Sequence, residues 1–457
     1  MISTKITKRV FVAIIDFIIL STSLYLSISA RYSFAIENIG FVSLERFLGV
    51  FYPFLIIIFL NMLVFYMYGL YDKMTVKIYQ ELDQRILSSQ LLSSVVGAVI
   101  FYTIPLFAIA PKTILIIYIF ISSLLIFFWR KSVRKIFKGS GSTKILLVAE
   151  GKELEELQQE IAQNKILNIQ KVEALNLSEN ETLNSIKEKV ENGNFNILAI
   201  NMHHPKIKEN ISFFYQFFLS KVEVVNFADL YEEILQKVPL ENIDTGWFFN
   251  NISRQNKKLY ENSKRILDLY LSIPIFLISL IFYPFVFFAL KMQDGGRLFY
   301  ISERMGVDNI PFKLYKFRSM TDIKNKDIDS TDKNEIKRVT KFGKFLRKTR
   351  IDELPQLINI INGDLSLIGP RPEIPELVNE YSKQIPFYGI RHTVTPGLSG
   401  YAQIYQEQKA VPKFGIATDA TKEKLSYDIF YLKHRTFLVD LALMIRTIKT
   451  LLSKSGV

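Results

Sequence analysis

Between Arg347 and Pro372 the chain sets two adjacent carboxylates, Asp352 and Glu353, among Arg347, Lys348, Arg350 and Arg371. Arg371 stands between Pro370 and Pro372, so its planar fork meets a phosphate with little entropy to lose. Lys316 and Arg318 lie upstream as further candidate cations. These residue types suit a phosphate-bearing substrate, with Mg²⁺ held by Asp352 and Glu353 neutralising it and loosening a diphosphate bond. Leu354, Leu357, Ile358 and Ile361 recur at helical spacing, Pro355 is tolerable only in a first turn, and Asn362-Gly363 supplies a stop. The carboxylate pair is thereby expected at a helix N-terminus, where free N–H groups and the helix dipole favour an anion. The plainer alternatives are that Asp352 caps the helix, with Glu353 complementing the dipole, and that Arg371 is a surface residue on a rigid loop.

The elements that must position these groups begin in a membrane. The chain has 457 residues, 49% of them hydrophobic, with 37 Phe and 22 Tyr, which calls for a membrane part and at least two soluble parts. A net charge of +13 suits nucleic acid, anionic lipid or a phosphate-bearing substrate; the apolar runs argue for no nucleic acid and for a lipid bilayer as partner. Cysteine is absent, which excludes disulfides and thiolate metal sites. Apolar runs near 10–30, 48–71, 86–109 and 112–129 are each long enough to cross a bilayer as a helix. The first is too long for a signal peptide and is followed by more of its kind. Asp16 inside it is read as a hydrogen bond between packed helices. Lys5, Lys8, Arg9, Lys73, Lys77, Arg85, Arg130, Lys131, Arg134, Lys135 and Lys138 fall on one side, against only Arg31, Arg46 and Lys112 on the other. Residues 1–138 are thus expected to be a four-helix transmembrane bundle with both ends cytoplasmic.

Residues 142–240 alternate strand and helix patterns, which predicts a small parallel α/β, Rossmann-like cytoplasmic domain. The first turn, Ala149-Glu150-Gly151-Lys152-Glu153, lacks the glycine fingerprint for a pyrophosphate. Scaffolding, regulation or homodimer formation fits this domain better than dinucleotide binding. Residues 241–262 read as a linker, and 263–291 as an apolar segment with cations at both ends and prolines at 274 and 284. Either a fifth crossing helix or a re-entrant helix that dips into the cytoplasmic leaflet satisfies this segment. In 292–457, strands are expected near 298–301 and 312–317, a mobile charged loop at 322–337, and a helix at 340–350 lying in the membrane interface or packed on the domain. A glycine-punctuated loop follows at 395–403, and a closing amphipathic helix at 436–452.

Four stretches, Tyr315–Met320, Arg347–Gln356, Asn362–Pro372 and Pro396–Gln403, resemble in order the successive signatures of the bacterial sugar transferase family, the monotopic polyprenyl-phosphate phosphoglycosyl transferases. With its bundle and α/β domain the whole chain is similar to the long members, which start exopolysaccharide or O-antigen synthesis. The resemblance implies a fold of membrane α plus α/β class with a re-entrant helix and a mixed α/β catalytic domain at 292–457, on the cytoplasmic face of the bacterial inner membrane. It implies transfer of a sugar 1-phosphate from a UDP-sugar to undecaprenyl phosphate, with release of UMP. Asp352 would be the nucleophile, Glu353 its partner toward Mg²⁺, Lys316 and Arg318 the basic motif, Arg371 a phosphate ligand, and Asp428 the acid of the late Tyr427-Asp428 motif. Three departures stand out: the helix break falls at Tyr283-Pro284 or Ser272-Ile273-Pro274 rather than Ser-Pro, Ile404–Glu407 replaces an Asn-Gly-Arg turn, and the middle domain has no phosphate loop. A glycosyltransferase releasing UDP and a non-catalytic membrane scaffold are the rival readings.

Overall fold

The computed structural model describes residues 2–33, 44–68, 70–71, 82–103, 112–136, 143–163, 169–177, 183–218, 222–252, 258–321, 339–406 and 419–452. The chain divides into two compact units, Met1–Met202 with Glu209–Leu235, and His203–Lys208 with Gln236–Val457.

The first unit opens with helices α1 (Ile2–Ser33), α2 (Leu44–Met67), α3 (Leu82–Thr103) and α4 (Lys112–Ile136). Helix α1 packs on α2 and α4, and α3 packs on the same two. Leu20, Leu24 and Ile28 of α1 meet Phe54, Ile57 and Ile58 of α2 and Tyr118 and Ile126 of α4 in one buried cluster. Phe59, Leu91 and Phe120 point outward and are exposed. Helices apolar inside and out suit a hydrocarbon solvent. Among the described residues, Phe11–Arg31 and Thr113–Ser132 are long and apolar enough to cross a membrane, while α2 and α3 hold shorter apolar stretches, Phe54–Tyr66 and Ile86–Val99. Arg130 corrects the sequence reading. It is no flanking cation but a buried one, ion-paired with Asp16 and donating to the Leu70 carbonyl at 2.8 Å. Lys73 and Lys77 lie outside the described residues.

Strands β1 (Thr143–Ala149), β2 (Ile169–Asn176), β3 (Ile197–Ile200) and β4 (Glu223–Asn226) form a parallel sheet in the order β2-β1-β3-β4. Central β1 is buried from Ile145 to Ala149, the continuous apolar run expected of a strand covered on both faces. Helices α5 (Lys152–Gln163), α6 (Leu183–Gly193), α7 (Ile211–Phe218) and α8 (Phe227–Leu235) complete the unit, with Leu154, Leu157 and Ile161 of α5 packed on β1.

In the second unit, part of the stretch expected as a linker contributes to the core. Asp244 caps helix α9 (Thr245–Asn251), accepting from the Trp247 N–H at 2.9 Å, and buries Trp247 and Phe248 beside Tyr381, Tyr388 and Ile429. Helices α10 (Lys258–Ser279) and α11 (Phe282–Asp294) meet at a 50° bend. The break falls at Leu280-Ile281, between the two expected sites. Pro284 causes it: lacking an N–H, it cannot bond the Leu280 carbonyl four residues back, which accepts from Tyr283 N–H at 3.2 Å instead. Pro274 is absorbed inside α10. The inner face of α10 is anchored by polar contacts: Lys264 Nζ donates to the Ile368 carbonyl and Asp440 (both 2.7 Å), Arg265 to the carbonyls of Ile360 and Ile361, and Asp268 accepts from Leu367 N–H at 3.1 Å.

Strands β5 (Phe299–Met305) and β6 (Pro311–Phe317) form an antiparallel hairpin. The charged stretch expected as a mobile loop lies outside the described residues. In α12 (Lys341–Thr349), Thr340 caps the Gly343 N–H at 2.8 Å, and Leu346 is buried against Val286, Leu290 and Phe317, while Phe345 stays exposed. Helix α13 (Gln356–Asn362) ends on Gly363 at φ +96°, the stop expected from Asn362-Gly363. The glycine-punctuated segment is strand β8 (Gly397–Ser399), parallel to β7 (Ser366–Ile368), followed by the helical turn Tyr401–Tyr405. Helices α14 (Pro375–Gln384), α15 (Asp419–His434) and α16 (Phe437–Leu452) close the unit.

Candidate active site

Asp352 does not cap α13. Helix α12 ends on Arg350, a non-glycine residue in the left-handed region at φ +55°; a single 3₁₀ turn, Ile351–Glu353, follows, and α13 starts only at Gln356 with no side-chain cap. After this strained corner the Glu353 carboxylate reaches Lys316 on β6. Asn359 fixes that distance. Its carbonyl accepts from Tyr315 N–H at 3.1 Å and its amide donates to the Lys313 carbonyl at 2.7 Å, completing the hydrogen bonds of the β6 edge.

Lys316, Glu353 and Arg371 meet there. Glu353 Oε1 lies 3.4 Å from Lys316 Nζ and 3.0 Å from Arg371, and its Oε2 lies 3.6 Å from Arg350. Burial alone would raise the Glu353 carboxyl, but Arg371 and Lys316 outweigh it and bring it to about 2. Asp352 behaves oppositely. It is 8% exposed, and among the described residues no cation stands within ion-pair distance of it. Burial, then the Glu353 charge, push Asp352 up to about 6 against the pull of Lys316 and Arg347. Two neighbouring carboxylates are thus split into an ion-paired one and a more basic one.

The Arg371 turn is held by two motifs at once. Gly369 N–H donates to the Ser399 carbonyl and Gly397 N–H to the Pro370 carbonyl, both at 2.9 Å. A Cβ on Gly400 would sit 2.5 Å from the Gly369 carbonyl oxygen, and one on Gly397 only 2.1 Å from the Gly369 nitrogen; only glycine allows the backbones so close.

Residues 259–454, which carry this whole arrangement, match the model of a family described as bacterial sugar transferase. An uncharacterized sugar transferase of Bacillus subtilis is 33% identical over 194 residues, 42% of this chain and 89% of that protein. The chain belongs to the bacterial sugar transferase family. It is also similar to a UDP-N-acetylgalactosamine-undecaprenyl-phosphate N-acetylgalactosaminephosphotransferase of Aeromonas hydrophila, 38% identical over 36% of this chain and 38% of that protein. A UDP-glucose:undecaprenyl-phosphate glucose-1-phosphate transferase of Klebsiella pneumoniae is 36% identical over 37% of this chain and 36% of that protein. The match thus spans little more than a third of the length of these two relatives.

Two of the expected site residues, Arg318 and Asp428, do not join the Glu353 cluster. Arg318 is buried and turned away, its Nε donating to the Arg297 carbonyl at 2.8 Å and its guanidinium lying against Gly296. Asp428 is 1% exposed and ion-paired with Arg391 at 2.7 Å. Arg391 also donates to Tyr388 Oη at 2.8 Å and to the Arg371 carbonyl at 2.9 Å. Against burial, which pulls it down, Asp428, Tyr388 and Glu373 hold the Arg391 pKa above its usual value. Asp428 is therefore linked to the Arg371 turn through Arg391. Nothing in the sequence pointed to Asn359 or Arg391, because a polar residue on an apolar helix face and a lone arginine carry no pattern.

A metal would find few ligands. Among the described residues no group of three or more His, Cys, Asp or Glu could hold one. Mg²⁺ commonly takes one or two carboxylates and fills its shell with phosphate oxygens and water. Asp352, free of cations, fits that role; Glu353, already shared by three, is the weaker ligand. A separate cavity of about 490 Å³ beside α10 is lined by Lys264, Arg265 and Arg435. Those cations are occupied by Asp440, by carbonyls and by Glu261, so it is a poorer candidate than the Glu353 cluster.

Proposed function

We propose that the chain transfers a sugar 1-phosphate from a UDP-sugar to undecaprenyl phosphate through an intermediate on Asp352. The observation that carries this reading is a buried carboxylate left without a cation beside one bound by three. An Asp352 carboxylate that is more basic than usual and unpaired is a better nucleophile. Its oxygen attacks the sugar-bearing phosphorus, the bond from that phosphorus to the bridging oxygen breaks, and the electron pair leaves with UMP. A phosphate oxygen of undecaprenyl phosphate then attacks the same phosphorus, the bond to Asp352 breaks, and the carboxylate is regenerated with no net proton transfer. Lys316 and Arg371 neutralise the phosphates while Glu353 holds both cations in place. Mg²⁺, when bound at Asp352 with help from Glu353, would supply further charge neutralisation to the diphosphate.

The printed activities of the Aeromonas and Klebsiella relatives support this reaction class. In the same reading all four N-terminal helices cross the bacterial cytoplasmic membrane, the bent α10–α11 pair dips in and returns, and the catalytic face is cytoplasmic. The exposed apolar side of α10 and α11, including Tyr270, Ile278, Phe285 and Phe288, supports a lipid partner there. The test is the nucleotide released when purified protein meets a panel of UDP-sugars, undecaprenyl phosphate and Mg²⁺. UMP, with sugar-phosphate label retained on Asp352 when lipid is withheld, is the expected result. Release of UDP would mean a glycosyltransferase, and no turnover with any donor would favour a scaffold.

A further inference from the structure

Among the described residues, a half-buried cation close to the site, Arg304, has no ion pair of its own. Glu353 is shared by Lys316, Arg371 and Arg350, and Glu373 is paired with Lys424 and Arg391. Arg304 on β5 is half-buried, its Nε makes one long hydrogen bond of 3.4 Å to Ser302 Oγ, and among the described residues it has no ion pair. It is close enough to Lys316, Arg371 and Glu373 for their charges to act on it. Glu373 acts on it only from beyond ion-pair distance and is already paired with Lys424 and Arg391, and a guanidinium partly removed from water without its own ion pair is costly unless a ligand supplies an anion.

The hairpin register says what lies next to it. Tyr300 is directly opposite Lys316, and residues opposite each other in an antiparallel pair share a face. Alternation along β5 puts Tyr300, Ser302 and Arg304 on that same face. Phe299, on the other side, stacks with Phe317 at 5.7 Å between centroids and is used in packing. Tyr300 is 55% exposed. It is an aromatic platform at the rim of a cationic site.

We propose that Arg304 and Tyr300 form the subsite for the nucleotide half of the donor, Arg304 taking its phosphate and Tyr300 stacking on its base. The proposal rests on the transfer reaction above. When the phosphorus–oxygen bond breaks, the departing phosphate gains a negative charge, and Arg304 neutralises it while Lys316 and Arg371 remain with the phosphorus attached to Asp352. Tyr300 adds affinity that does not depend on the sugar.

The experiment is a titration of the full-length protein in detergent or nanodiscs with UMP and, separately, with inorganic phosphate. Arg304→Gln is expected to weaken both ligands by about tenfold or more. Tyr300→Ala should weaken UMP by about tenfold and leave inorganic phosphate unchanged, and Tyr300→Phe should bind UMP as the parent does. Parent-like UMP binding in both Arg304→Gln and Tyr300→Ala would overturn the subsite while leaving the transfer reaction standing. A parent protein that binds no UMP would remove the reading on which the subsite rests. Because Arg304 has no ion pair among the described residues, Arg304→Gln should melt with the parent; a large drop in melting temperature would mark it as a structural residue and overturn the proposal as well.

Discussion

Replacing Asp352 with asparagine should make the protein more stable, and only at pH values where the aspartate is ionised. The carboxyl rises from 3.8 to about 6 on folding because it is buried beside Glu353, and each unit of such a rise corresponds to about 1.4 kcal/mol. Above about pH 6 both folded and unfolded chains carry the ionised form, and the folded state bears the full penalty of about 3 kcal/mol. As pH falls toward 3.8 the folded state takes up its proton first and the penalty disappears. The amide that replaces the carboxylate has no charge to bury, so Asp352→Asn should gain between about 1 and 3 kcal/mol at about pH 8 and nothing at about pH 4. The assay is thermal unfolding of parent and variant in the same detergent with chelator present, so that no divalent cation offsets the carboxylate charge. The variant should at the same time lose UMP release. A helix-capping aspartate would give the opposite sign, since losing a cap destabilises. An Asp352→Asn variant that melts lower than the parent at about pH 8 would therefore refute the account of Asp352 as a strained nucleophile.

Two further predictions concern the turn that carries Arg371. Asp428→Asn removes one member of a buried ion pair and leaves Arg391 with Glu373 at 3.6 Å and Tyr388; it should cost about 3 kcal/mol in thermal or urea unfolding, and a variant with parent stability but lost UMP binding would return Asp428 to the ligand. Gly400→Ala drives a methyl into the Gly369 carbonyl and should cost about 1 to 3 kcal/mol while lowering UMP release about a hundredfold through a displaced Arg371; parent-like turnover would show that the turn does not need this backbone contact.

What could be read in the sequence was whatever is encoded over a few residues. The stop at Gly363 was legible because a left-handed residue after an apolar helix face favours glycine. The central strand β1 was legible because a doubly covered strand must be apolar throughout. The roles of Arg130 and Asp428 were not, because each depends on a partner distant in the chain. Arg130 follows an apolar run and looks like a flanking cation, yet Asp16, 114 residues earlier, draws it inside the bundle. Asp428 adjoins a tyrosine in a recognisable motif, and nothing local tells that Arg391 covers it. Pro284 was legible as a helix breaker, but the bend appears at Leu280-Ile281, where its missing hydrogen bond falls.

The same distinction explains why four separated stretches act as one site. The Gly369-Pro370-Arg371 turn cannot hold its shape without Gly397 and Gly400, because the two strands lie closer than any side chain allows. The carboxylate corner cannot keep its distance from Lys316 without Asn359, which occupies the β6 edge. Each stretch therefore contributes one chemical group and one constraint on a neighbour. Lys316 and Arg371 converge on a single Glu353 oxygen, and that convergence leaves Asp352 buried, unpaired and available. A substitution in a constraining residue should consequently look like a loss of chemistry, even where it touches no ligand.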